Sequence, residues 1–94
     1  MEVHWLDGAQ ADLVEIEGYI ARDNPRAAQA LIARIHRRVS MLEDHPRIGR
    51  PGRITGTREL VVGGTPYVAA YRLREQVVEI IAVIHGARRW PDAF

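Results

Sequence analysis

The sequence contains no cysteine, which excludes disulfides, thiolate metal ligands and a thiol nucleophile. It contains no lysine either: all 13 of its Lys and Arg positions are arginine. Arginine's planar fork suits carboxylates and phosphates, but GC-rich coding produces the same bias, so composition alone assigns no partner. Aromatic residues make up 6% of the chain. The 4 histidines are scattered without zinc-ligand spacing, and neither a metal nor another cofactor is expected. The apolar run Ile80-Ile81-Ala82-Val83-Ile84 falls far short of the roughly 20 residues of a spanning helix, so no membrane partner is expected. No cationic stretch followed by an apolar one opens the chain, and the expected compartment is the cytoplasm. No strand leads through a glycine-rich loop and a lysine into a helix, which excludes a nucleotide-binding P-loop.

What is present fits one core. A chain of 94 residues has no room for two, so a single domain over 1–94 is expected. With 47% hydrophobic and 27% charged residues, the balance is that of an ordinary folded domain. The net charge of +1 hides a segregation. Residues 1–25 carry six acids against Arg22, whereas residues 26–58 carry eight arginines against Glu43 and Asp44. Such asymmetry points to a basic face for an acidic partner or a nucleic acid.

The hydrophobic pattern gives the elements. Glu2–Leu6 alternates as a short strand, and Asp7 is the expected cap of a first helix. Ala9, Leu13, Ile16 and Ile20 form one face of that helix, which runs to about Arg22. Asn24 caps and Pro25 begins a second helix, whose stripe is Ala28, Leu31, Ile35, Val39 and Leu42. So short a turn makes the two helices an antiparallel hairpin. His45–Thr57, rich in Gly and Pro, reads as irregular. Three strands follow, Arg58–Val62, Tyr67–Leu73 and Val77–Ile84, joined at hairpin length. The last is apolar almost throughout and is expected to be covered on both faces. The tail from Gly86 to Phe94 brings Trp90 back over the body. The fold class is therefore α+β, two layers in the order β-α-α-β-β-β, with the helical hairpin packed on a small antiparallel sheet.

Several strings in this order carry a resemblance. They are Leu42-Glu43-Asp44-His45-Pro46-Arg47-Ile48-Gly49-Arg50, Thr57-Arg58-Glu59-Leu60-Val61-Val62 and Tyr67-Val68-Ala69-Ala70-Tyr71-Arg72-Leu73. Val78-Glu79-Ile80-Ile81-Ala82-Val83-Ile84-His85 and the closing Arg89-Trp90-Pro91 complete the set. Across essentially its whole length the chain resembles the RelE/ParE superfamily of bacterial toxins from type II toxin–antitoxin modules, which also serve in plasmid stabilisation. The resemblance implies a growth-inhibiting toxin held inactive by a cognate antitoxin protein.

Within the superfamily the chemistry divides. ParE-like members poison DNA gyrase, whereas RelE-like members are ribosome-dependent mRNA endoribonucleases, or mRNA interferases. The second group gathers Lys or Arg on the sheet with a Tyr or His near the C-terminus. Here Arg58 and Arg72 lie on strands and His85 ends the last one. No lysine accompanies them, and Gly86-Ala87 stands where a further aromatic is often seen. The final strand looks more like the ParE side. Gyrase is therefore the expected target, with the ribosome and mRNA as the alternative, and a non-toxic interaction module as a third reading.

The endoribonuclease alternative assigns roles to Arg58, Tyr67, Arg72 and His85. Cleavage through a 2′-OH needs a base, an acid and cations for the phosphorane. His85 suits acid or base, Arg58 and Arg72 a phosphate clamp, and Tyr67 base stacking. Each also has a structural explanation: His85 as a strand-end hydrogen-bonder, the arginines as partners of Glu59, Glu75 or Glu79, and Tyr67 as a core aromatic. Target or partner contact falls to Arg47, Arg50 and Arg53 of the irregular segment and to Arg88, Arg89 and Trp90 of the tail. Solvated loop charges and a tucked core tryptophan are the corresponding alternatives. The arginines of the second helix, Arg34, Arg37 and Arg38, read most simply as a solvated face.

Overall fold

The structure, a computed structural model, describes residues 1–94. It runs β1 (Glu2–Trp5), α1 (Asp7–Ala21), α2 (Pro25–Ser40), a 3-10 turn (Met41–Glu43), β2 (Arg50–Pro51), β3 (Arg58–Val61), β4 (Tyr67–Arg74) and β5 (Val77–His85). No helix is long and apolar enough to cross a membrane.

Local chemistry sets the helix ends. Asn24 caps α2 as expected, its Oδ1 accepting from the Ala27 N–H at 3.0 Å, with Pro25 at the first helical position. At α1 the expected cap moves back by one residue. Leu6, not Asp7, occupies the cap position, and no side chain caps this end. The reason is the strand before it: the Leu6 N–H still donates to Ile80 O at 3.0 Å, so the helix begins directly after the ladder. Asp7 instead places its charge in the first turn, where the helix dipole favours it. The second stripe divides as well, because α2 stops at Ser40 and Leu42 enters the core from the 3-10 turn.

The sheet is five-stranded in the order β1-β5-β4-β3-β2. It is mixed rather than antiparallel. β1 lies parallel to β5, while the other pairs are antiparallel. The helical hairpin intervenes between β1 and the rest of the sheet, and such a long crossover is what a parallel pairing requires. The fifth strand, β2, falls inside the segment expected to be irregular; it pairs only through Arg50 and Pro51. The strand covered on both faces is β4, where Tyr67 to Tyr71 are all buried, rather than β5, whose burial alternates.

One irregularity reorganises β5. Ala70 pairs with Ala82 but Tyr71 with Ile80, so Ile81 is an extra residue, a β-bulge. The core beneath the helices accordingly takes Val78, Ile80 and then Val83, together with Tyr67, Ala69 and Tyr71 from β4. Ile35, Val39, Leu42, Ala9 and Leu13 close the core from the helix side.

The 45–57 segment is pinned from two directions. Tyr71, fully buried, donates from Oη to Pro46 O at 2.7 Å and accepts from the Gly49 N–H at 3.0 Å. Only glycine fits at 49, since a Cβ there would stand 2.6 Å from the Tyr71 ring and hydroxyl. Burial pushes the Tyr71 hydroxyl above its ordinary pKa, partly offset by the Gly49 bond and by Arg58 and Arg38. From the other face, Glu59 reaches the same segment; it is 2% exposed. Its Oε1 accepts from Nε and Nη2 of Arg50 at 3.1 and 3.0 Å, and its Oε2 from the Arg53 N–H at 2.7 Å.

Candidate functional site

β1 accompanies β5 only as far as Ile80. Beyond the bulge the outer edge of β5 has no strand beside it, and α1 runs there instead. Between them opens a groove of about 920 Å3, closed at one end by the C-terminal tail. Val14, Ile16, Tyr19 and Arg22 line it from α1, Tyr67 and Ala82–His85 from the sheet, and Arg88, Arg89, Pro91 and Phe94 from the tail. Val14 and Tyr19 are 74% and 65% exposed, unusually high for large apolar side chains on one helix. Asp12 sits at the groove floor, its Oδ2 accepting from the Val83 N–H at 2.9 Å. Burial raises the Asp12 carboxyl pKa; the Val83 bond lowers it and the Glu15 charge raises it further.

The bulge brings Tyr67 and His85 together at the mouth of this groove. They are register partners on β4 and β5, with ring centroids 5.7 Å apart in an edge-to-face arrangement. Nδ1 of His85 accepts from the Ala87 N–H at 3.2 Å, so in the neutral ring the proton resides on Nε2. Arg88 and Arg89 stand on the tail immediately after, lining the same groove.

Arg58 and Arg72 do not join them. Arg58 donates from Nη1 to Gly49 O at 2.8 Å and to Arg47 O at 3.3 Å, holding the loop. Arg72 donates from Nε to Glu79 Oε1 at 2.6 Å, which holds the Glu79 carboxyl below its ordinary range. Arg72 lies five residues along β4 from Tyr67, about 17 Å in extended chain, and by strand alternation on the opposite face. Of the loop arginines, Arg50 and Arg53 are committed to Glu59, the Arg53 guanidinium at 3.6 Å, while Arg47 is exposed. Trp90 folds back as expected, but onto the loop: the Arg53 guanidinium lies 3.9 Å from its ring centroid. No group of three or more His, Asp or Glu comes together in a way that could hold a metal ion.

Sequence reasoning passed over Asp12, Val14 and Tyr19, and offered Glu59 as a partner of Arg58 or Arg72, whereas it holds Arg50 and Arg53. Val14 and Tyr19 carried a readable signal, being apolar residues off the stripe Ala9-Leu13-Ile16-Ile20. Asp12 carried none, being an acid whose partner lies across the fold, and the partners of Glu59 lie across a loop rather than on the neighbouring strand.

The model of the ParE toxin family, of the type II toxin–antitoxin system parDE, matches residues 3–90. The chain belongs to the ParE toxin family. It is similar to the protein Y4kP of Sinorhizobium fredii, 44% identical over 90 residues that cover 96% of this chain and 93% of that protein. Toxin RelE2 of Caulobacter vibrioides is 38% identical over 87 residues, covering 93% and 97%. Among solved structures, a chain of the chromosomal ParDE TA system from P. aeruginosa superposes with a TM-score of 0.81 at 26% identity, covering 90% of this chain and 95% of that one. This ParE-family chain is thus a toxin of the type II toxin–antitoxin class, with the RelE/ParE fold that its strings suggested.

Proposed function

We propose that this chain arrests bacterial growth in the cytoplasm by binding and poisoning DNA gyrase, and that a cognate antitoxin neutralises it by filling the α1–β5 groove. The observation that carries the gyrase reading is the dispersal of the sheet cations. Arg58 is spent on loop carbonyls and Arg72 on Glu79, so neither strand arginine stands beside His85 to clamp a phosphate. Membership of the ParE family supports the same reading. Target contact falls to the exposed tail arginines Arg88 and Arg89, with Trp90 and Arg53 holding the tail in place. The groove's exposed Val14 and Tyr19, flanked by Arg22, Arg88 and Arg89, match an amphipathic antitoxin segment that carries acids beside apolar residues.

A second reading, ribosome-dependent mRNA cleavage, is favoured by one observation, the Tyr67–His85 pair beside Arg88 and Arg89. The deciding experiment induces the chain alone in bacteria and pulse-labels DNA and protein synthesis separately. Gyrase poisoning makes DNA synthesis fall first, with induction of the DNA-damage response, and leaves His85→Ala fully toxic. Cleaved messages, early loss of protein synthesis and a harmless His85→Ala variant would establish the ribonuclease instead. Growth unaffected by a well-expressed, folded chain would reject both.

A further inference from the structure

The charge segregation of the sequence becomes a spatial one. The acidic helix α1 packs on β5, whereas the C-terminal half of α2 reaches toward β3, near the opposite edge of the same sheet. There Arg34, Arg37 and Arg38 line a second, shallow depression with Met41 and the Val61–Gly63 backbone, and no acid takes part in the lining. None of the three arginines forms an ion pair. At 100° per residue they fall within an arc of about 100° on one helix face, inside little more than one turn of about 5.4 Å.

One of them is held rather than free. Arg38 donates from Nε to Val61 O at 3.0 Å and contacts Met41 Sδ at 3.4 Å. That carbonyl lies on the outer edge of β3, past the end of the two-residue strand β2. Arg34 lies over the β3–β4 turn, where Gly64 has a φ of +77° and a Cβ would come within 2.6 Å of its Nη2. The Arg38 guanidinium is thus placed before any ligand arrives, which reduces the entropy lost on binding. The nearest acid in sequence, Glu43, points away; it lies at the β1 end with Met1, Glu2 and His4.

We propose that this arginine edge of α2 and β3 binds the phosphate backbone of a nucleic acid. Three unpaired guanidiniums within a turn call for a partner of dense negative charge, and duplex DNA supplies one charge per roughly 1.7 Å of axis. The apolar members of the patch, Met41 and Val61, are not the aromatic anchors on which protein interfaces concentrate their energy. The contact is sequence-independent, because guanidiniums on phosphates position a duplex without reading its bases. The edge is separate from the α1–β5 groove, so this inference stands or falls independently of the antitoxin and gyrase readings.

The test is fluorescence anisotropy of a labelled random-sequence duplex of about 20 base pairs, titrated with the purified chain over a series of salt concentrations. The intact chain is expected to bind with a steep salt dependence. Arg34→Gln/Arg37→Gln, at exposed positions with no side-chain hydrogen bond, should flatten the slope of log K against log salt by about 1.8 and weaken low-salt binding at least tenfold. The charge-matched pair Arg26→Gln/Arg74→Gln should change binding by less than about twofold. Binding without salt dependence, no binding at low salt, or equal losses in the two pairs would overturn the proposal. So would displacement of the duplex by polyglutamate at equal charge, which would mark a carboxylate-bearing protein as the partner.

Discussion

Asp12 and Val83 are 71 residues apart in sequence, and a single hydrogen bond of 2.9 Å joins the carboxylate of one to the backbone N–H of the other. The bond exists because the bulge at Ile81 turns the Val83 N–H away from the β4 ladder just where β1 has ended. Helix α1 therefore supplies the acceptor that a strand would otherwise provide. Asp12→Ala leaves a buried donor unsatisfied and should destabilise the fold by about 1–2 kcal/mol. Asp12→Asn, which retains an acceptor, should cost less than half of that. Urea denaturation of the three proteins measures both; equal midpoints would show that the bond contributes nothing.

Glu59 should be the most damaging acid to remove. It is buried, whereas its partners Arg50 and Arg53 are about half exposed. Glu59→Ala removes the charge-assisted hydrogen bonds that fix both and leaves only half-exposed charges behind, at an expected cost of about 2 kcal/mol. The loop should loosen before the core does. Trypsin cleaves after arginine except before proline, so faster cutting at Arg47 and Arg53, but not at Arg50 before Pro51, is the local readout, with unchanged loop protection as the opposing result.

The β4–β5 turn is built from the wrong residues for its shape. Glu75 and Gln76 both have positive φ, 51° and 67°, a two-residue hairpin loop that favours Asn-Gly. Gln76→Gly should therefore stabilise the protein by about 0.5–1 kcal/mol, as relief of the strain outweighs the added freedom of the unfolded chain. Thermal melts decide this, and a lowered midpoint would contradict it.

Acid stability should depend on Glu79. Its folded pKa lies below the ordinary 4.5 because Arg72 hydrogen-bonds the carboxylate. The stabilisation is thus fully present above that value and is lost as pH falls through the folded pKa. Asp12 acts in the opposite sense. Its pKa is raised by burial, so protonation on acidification favours the folded state. Melting temperatures from about pH 6 to about pH 3 should fall less steeply for Glu79→Gln than for the unaltered chain. An identical slope would exclude the pair as a source of acid lability.

Val14 and Tyr19 provide a functional test that spares the fold. Both are largely exposed, so Val14→Asp/Tyr19→Asp should shift stability by less than about 1 kcal/mol. In the groove reading the same pair should abolish rescue by the co-expressed antitoxin while toxicity persists. Rescue at normal strength would remove the groove as the antitoxin's site.

Periodicity and punctuation determined the elements themselves: the stripe of Ile35 and Val39, the Asn24-Pro25 helix start and the alternation of Tyr67, Ala69 and Tyr71 are local signals that burial alone enforces. The resemblance in the strings from Leu42 to Pro91 likewise fixed the family. Long-range pairing decided the rest. Strict alternation along β5 sets His85 on the face of Glu79, away from Tyr67; the bulge at Ile81 reverses that phase and creates the Tyr67–His85 contact. The arginines Arg58 and Arg72 look like a phosphate clamp in sequence, yet loop carbonyls and Glu79 claim them in space. β1 chose a parallel place beside β5 through backbone bonds that no side-chain pattern encodes. Side-chain periodicity reports which face of an element is buried, but which strand edge stays open and which charges meet depend on register, and register exists only once the chain has folded.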